Sequence, residues 1–299
     1  MRLLPAWLIV FLFAGGALAL ARVSAESCRT AAASRAEEPE KQSAPAAPTY
    51  VGFDRNEYPG DEALPVLRKS FAFASYWLGP PPGEKSSSWE GKRALLESQG
   101  FGFLLLFNAR ESRKIKSPND AYEKARIDAA QAMELATHEG FNLGTTIYLD
   151  VEEGGRLPTA YHDYIRAWAA SINASRFHAG VYCSAIPVND APGVTITTAE
   201  DIQAHLDTQP VVFWVYNDAC PPSPGCVFPQ NPPPPSSSGS PQAQVWQYAQ
   251  SPGRKEFASQ CFKTYAADGN CYAPGDTRHK WFLDANVSNT PDPSNGRAK

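Results

Sequence analysis

Eight short stretches of the chain are almost unbroken runs of apolar residues. They are YVGFD (50–54), FAFASYW (71–77), FGFLLLF (101–107), LGTTIYLD (143–150), HAGVYCS (178–184), VVFWVY (211–216), QVWQY (244–248) and KWFLD (280–284). Such runs suit parallel strands covered on both faces, not strands with one wet face. Between several of them apolar positions recur at helical spacing, over 89–100, 117–140, 158–175 and 198–208. Gly100 and Gly140 stop the first two helices, Pro158 falls in the first turn of the third, and Thr198 is placed to cap the fourth. Strands alternating with helices imply right-handed βαβ units. Eight strands over residues 49–289 fit an α/β fold of the (β/α)8 TIM-barrel-like kind. A Pro-rich loop is inserted after strand 6.

Polar stretches set the limits of this domain. The chain opens MRLLPAWLIVFLFAGGALALARVSA, where Arg2 is followed by an apolar run and then small residues. That is the pattern of a secretory signal peptide spanning 1–25, with Ala25 the last residue removed. The apolar run over 3–21 is also long enough for a membrane anchor, but the small-residue ending favours cleavage, which leaves no stable span. Residues 26–48 have almost no large apolar side chains and read as a disordered leader. The stretch 220–243 is rich in Pro, Ser and Gly and reads as a loop. Residues 290–299 read as a flexible tail. A secreted or periplasmic location follows from the signal.

Six cysteines in an exported chain make disulfides plausible. Cys220 with Cys226, and Cys261 with Cys271, each bracket a short loop and are candidates for local pairs, although connectivity is not readable from sequence. Cys183 sits in a strand and reads as a small buried hydrophobe, while the state of Cys28 is left open. No C-x-x-C or H-x-x-x-H spacing occurs, so no metal or cofactor is expected. A net charge of −4 without a basic cluster argues against nucleic acid as a partner.

The chemistry gathers at the strand ends, where barrels of this kind carry their reactive groups. The first strand ends on Asp54, the fourth on Asp150-Val-Glu152 and the eighth on Asp284. Side chains alternate along a strand, so Tyr148, Asp150 and Glu152 share one face while Ile147, Leu149 and Val151 share the other. The apolar face belongs against helices. That sends Asp150 and Glu152 into the barrel mouth and turns Glu153 away, toward solvent. Tyr182, Trp214 and Tyr216 would also face inward, and Trp246 completes the candidate aromatic wall. An acidic cup with aromatic walls suits a sugar, because glycoside cleavage needs a protonated acid beside a second group that stabilises or attacks the anomeric carbon. A D-x-E followed by Gly-Gly is also a common solvated turn, and Trp214 and Trp246 could equally be packing residues. His138, His162 and His205 read as surface residues of helices. No G-x-S-x-G surrounds Ser184, which argues against a serine hydrolase.

In order, the motifs GFD, YLDVE, GVYCS, FWVYNDA, VWQYAQ and FLDANV resemble the lysozymes of glycoside hydrolase family 25. The resemblance is closer still to the glycoside-hydrolase-like domain of unknown function 1906. It covers residues 50–289 and implies the same barrel, export and no metal. It implies that Glu152 is the general acid and that Asp150 assists, by orienting the substrate's N-acetyl group. Asp54 and Asp284 match the flanking acids. It also implies peptidoglycan as the substrate, with some other polysaccharide as a separate option. The first-strand loop departs from the family 25 pattern D-x-S-x-x-Q-G, running Asp54-Arg-Asn-Glu-Tyr-Pro-Gly60. A wall-binding module on a catalytically inactive barrel is the alternative.

Overall fold

The structure, a computed structural model, describes residues 48–218, 232–249, 281 and 283–298. The expected signal, nearly all of the leader, and Cys28, Cys220, Cys226, Cys261 and Cys271 lie outside the described residues, as does half of the Pro-rich loop. In chain order the strands are β1 (Tyr50–Asp54), β2 (Phe73–Trp77), β3 (Gly102–Asn108), β4 (Thr146–Asp150), β5 (His178–Ser184), β6 (Val188–Ala191), β7 (Val194–Ile196), β8 (Val212–Tyr216), β9 (Ala243–Ala249) and β10 (Asp284–Ser288). The helices are α1 (Leu64–Leu67), α2 (Arg93–Ser98), α3 (Pro118–His138), α4 (Thr159–Asn173) and α5 (Thr198–His205).

Eight strands close into a barrel in the order β1-β10-β9-β8-β5-β4-β3-β2, and β6 and β7 form a separate antiparallel hairpin. The TIM-barrel-like architecture expected from the alternating pattern is therefore present. It departs from eight parallel strands at one place. β10 runs antiparallel to both β1 and β9, while every other neighbouring pair in the barrel is parallel. The expected eighth strand at 280–284 is displaced, because the strand begins at Asp284. The apolar run KWFLD drew the expectation toward the more hydrophobic segment. The ladder instead uses DANVS, whose Ala285, Asn286, Val287 and Ser288 are all buried.

Local chemistry explains the helices. Ser117 caps α3 by accepting from the Asp120 backbone N–H at 3.3 Å, and α5 opens with a capping box between Thr197 and Glu200. The cap of α5 is therefore Thr197, one residue before the expected Thr198. Ala121, Ala125, Ala129, Ala132 and Ala136 are the buried small residues of α3, and they let the helix lie close to its neighbours. Among the described residues no helix is long and apolar enough to cross a membrane.

Close packing fills the barrel interior. A Cβ on Gly180 would come within 2.5 Å of the Tyr148 ring, and one on Gly52 within 2.1 Å of the Phe73 ring. These glycines make room for aromatic side chains that fill the barrel. The described end of the Pro-rich loop is not featureless. It holds a 3-10 turn at Pro235–Ser238, whose Ser238 carbonyl accepts from Asn217 Nδ2 at 2.6 Å.

The chain after residue 289 is not a flexible tail over its described part. It crosses the barrel end opposite the mouth and supplies acceptors to strand-entry N–H groups. Asp292 Oδ1 accepts from the Phe103 N–H at 2.8 Å, Ser294 Oγ from the Leu105 N–H at 2.9 Å, and the Ser294 carbonyl from the Thr146 N–H at 2.8 Å. Arg297 Nε donates to the Phe101 carbonyl at 3.0 Å. The polar composition that suggested disorder is what a set of buried N–H groups requires. Ser294 is fully buried. Ser294→Ala leaves the Leu105 N–H unpaired and should lower unfolding stability by about 1–3 kcal/mol, read from the urea midpoint at unchanged slope.

Candidate active site

The barrel mouth is a cavity of about 440 Å³ whose lining includes Asp54, Asp150, Glu152 and Asp284. Each acid arrives by a different local route. Asp54 and Asp150 are the last residues of β1 and β4. Glu152 follows β4 by one alternation, on the same side as Asp150. Asp284 opens β10 and pairs in register with Asp54. Because β10 is antiparallel, its first residue lies at the end where the parallel strands finish. The expectation that Asp284 reaches the mouth is thus met by a strand running the other way.

The predicted aromatic wall divides. Tyr182, Trp214 and Tyr216 line the mouth. Tyr148 is fully buried and meets the Trp214 ring edge-on at 5.8 Å, beneath the cavity floor. Trp246 lies on the other face of its strand. Register pairs Val215 with Trp246 and Tyr216 with Gln247, so Gln247 faces the mouth and Trp246 faces away. Trp246 Nε1 donates to the Asn217 carbonyl at 3.0 Å in that outer layer. Neither Tyr148 nor Trp246 reaches the cavity, and the roles expected of them are corrected to packing.

Two residues not singled out from sequence belong to the site. Gln247 Nε2 donates to Asp54 Oδ2 at 2.9 Å, and its Oε1 accepts from the Tyr182 hydroxyl at 2.9 Å. Asn286 Nδ2 donates to the same Asp54 oxygen at 2.6 Å, and its Oδ1 accepts from Trp214 Nε1 at 2.8 Å. The signal for Gln247 was available: a lone amide between Trp246 and Tyr248 is a polar position at period two, pointing inward. Asn286 was hidden by the displaced strand.

Burial and mutual repulsion shift the acids. Asp150 is 3% exposed and its Oδ2 has no hydrogen-bond partner. Burial, and then the charges of Glu152, Asp54 and Glu153, hold its carboxyl well above the ordinary range. Burial pushes Asp54 up to about 6 against the pull of the Asn286 and Gln247 amides. Glu152 is raised by burial and by Glu153. Glu153 is turned from the cavity as expected, but it is not simply solvated. Its Oε1 accepts from the Ser112 backbone N–H at 2.5 Å and pins the loop after β3 to the end of β4.

A second group of ionisable side chains lies away from the mouth. His162 is buried, contrary to its expected surface position, with Nε2 at 2.7 Å from Asp201 Oδ2. His205 Nδ1 lies 2.7 Å from the Asp201 carbonyl, and the two imidazoles stack at 3.7 Å. Donor atoms, one each from His162, Asp201 and His205, lie within 4.8 Å of one another, a donor set that could hold a metal ion, and the same contacts join α4 to α5.

The sequence profile of the Rv2525c-like, glycoside hydrolase-like domain matches residues 88–257. No curated protein matches the chain in sequence. Among solved structures, an uncharacterized protein of B. stearothermophilus is 16% identical with a TM-score of 0.52, covering 80% of this chain and 95% of that one. The Tat-secreted protein Rv2525c of Mycobacterium tuberculosis is 14% identical at a TM-score of 0.45, over 81% of this chain and 95% of its own. A glycosyl hydrolase 25 of Streptococcus pneumoniae, the virulence factor GHIP, is 10% identical at a TM-score of 0.48, over 80% and 86%.

The raised acids have a consequence for stability. The folded protein binds the Asp54 proton more tightly than the unfolded chain does, so ionisation between pH 3.8 and about 6 disfavours the folded state. Asp54→Asn keeps an acceptor for both amides and removes that cost. It should raise stability at neutral pH by about 1–3 kcal/mol. The gain should shrink to nothing as the pH falls below 3.8. Thermal melts of both proteins across pH give this difference directly.

Proposed function

The chain belongs to the Rv2525c-like, glycoside hydrolase-like family, and from that membership and the acids of its mouth we propose that it is an exported muramidase-like hydrolase of a cell-wall glycan. One observation carries the reading: carboxylates from β1, the end of β4 and β10 line a single cavity together with Tyr182, Trp214 and Tyr216. A cavity of about 440 Å³ is within the range of small-ligand sites. Aromatic faces suit the C–H faces of a sugar ring, and the acids supply the proton chemistry.

In this reading Glu152 donates a proton to the leaving glycosidic oxygen. Its raised affinity for a proton suits that role, because a general acid must arrive protonated near the working pH. Glu152 stands exposed at the rim, where a leaving group can depart into water. Asp150, buried beside it, positions the N-acetyl group that stabilises the developing positive charge. Asp54 and Asp284 set the field around both. The family's description as glycoside hydrolase-like supports the reaction class. The apolar opening over 1–25 supports export from this chain's own sequence.

A second reading is a wall-binding module that never turns over. It is favoured by the first-strand loop, where Asn56 and Pro59 stand at the serine and glutamine positions of the family 25 pattern and Arg55 Nη2 pairs with Glu57 Oε2 at 3.3 Å. Glu152→Gln separates the two readings. The hydrolase reading expects clearing of a peptidoglycan zymogram to fall roughly 100- to 10,000-fold. Retention on insoluble peptidoglycan with no release of reducing ends, in wild type and variant alike, would establish the binder.

A further inference from the structure

We propose that Asn286 is a positioning residue, whose amide is locked in one orientation by the Trp214 indole and thereby holds the Asp54 carboxylate ionised and aimed into the cup. This goes beyond the assignment of acids and rests on the sugar-cup reading only for the identity of the cup. An indole N–H can only donate, so the atom of Asn286 facing Trp214 at 2.8 Å must be the amide oxygen. That orientation directs the amide nitrogen at Asp54 Oδ2, 2.6 Å away. The second hydrogen of the same nitrogen goes to the Asp284 carbonyl at 3.2 Å. Every donor and acceptor of this buried amide is occupied, and flipping it would place N–H against N–H at Trp214 and oxygen against oxygen at Asp54.

Gln247 closes on the same carboxylate oxygen from the neighbouring strand. With two N–H groups on Oδ2, any proton on Asp54 must sit on Oδ1. Hydrogen bonds of this kind favour the charged form, against burial and against the acids that face Asp54. Those are Glu152 and Asp150 from the end of β4 and Asp284 from β10, with the Tyr182 hydroxyl reached through Gln247. Trp214 itself lines the cavity.

The indole is a built-in reporter. On the full chain, the 15N–1H resonance of Trp214 Nε1, assigned by its loss in Trp214→Phe, should titrate with the ionisation of Asp54. The step is expected to centre near the Asp54 midpoint of about 6. It should vanish in Asp54→Asn, which keeps the acceptor but cannot ionise. In Asn286→Leu the Asp54 carboxyl midpoint, read by 13C NMR, should rise by about one pH unit or more. The indole should then become insensitive to pH. An Asn286 that merely braces the barrel predicts a flat indole resonance in the wild type. That result overturns the proposal, as does a step that survives Asp54→Asn or an Asp54 midpoint unmoved in Asn286→Leu. Should Asn286→Leu fail to fold, the comparison of wild type with Asp54→Asn decides alone. None of these measurements requires turnover, so a protein inactive on every glycan could still carry the coupling, and an active one could lack it.

Discussion

The antiparallel pairing of β10 with β1 and β9 is the contact on which the rest of the molecule depends. It closes the sheet, and closure removes the two edges that an open eight-stranded sheet would present. The same reversal brings the beginning of β10, not its end, to the mouth. Asp284 therefore pairs with Asp54 in register, and Asn286, two residues on, stays on the interior face. A parallel β10 would have carried Asp284 and Asn286 to the opposite end. The acidic cup is thus a product of strand direction as much as of residue type. Once β10 has run down the barrel, the chain emerges at the far end, where the following residues satisfy the entry N–H groups of β3 and β4.

The mouth concentrates like charges in a place of low polarity. Among the described residues its lining contains no lysine, arginine or histidine. What restrains Asp54 is neutral: two amides, each held in turn by an aromatic hydroxyl or indole. Amides leave the field of the acids largely intact, whereas a neighbouring cation would cancel it and pull the carboxyls back toward ordinary values. Asp150, buried with an unpaired oxygen, is the group that gains most from binding a proton or a ligand donor. Sites of this kind trade folding stability for reactivity.

Much of this was legible in the sequence because it rests on period and on strand ends. Alternation along TIYLDVE assigns Asp150 and Glu152 to one face without any structure, and the apolar runs give seven of the eight barrel strands within about three residues. Where the reading failed, a local signal competed with a non-local one. KWFLD outranks DANVS in hydrophobicity, but the ladder partners that select DANVS lie some 230 residues away in β1. Trp246 was drawn toward the mouth because aromatics suit sugars, although the register of its own strand turns it outward and Gln247 inward. A helical pattern suggests a surface position for His162, and polar composition suggests a flexible tail around Ser294. Each is buried because a partner far along the chain needs it: Asp201 in the first case, the Leu105 N–H in the second.

Closure by β10 also bears on how the chain is made. β1 is the first barrel strand in the sequence and β10 the last, so no barrel exists until nearly every described residue has been synthesised. Before that moment β1 and β9 each expose a bare edge of unpaired N–H and C=O groups beside apolar faces. The β1–β10 pairing joins residues some 230 positions apart, and pairings this far apart in sequence slow folding in general. A ribosome that stops short of residue 284 releases not a slightly weakened protein but an open sheet, sticky along two sides, and the natural substrate of chaperones and proteases. The strand that completes the acidic mouth is therefore also the molecule's own check that it has been finished.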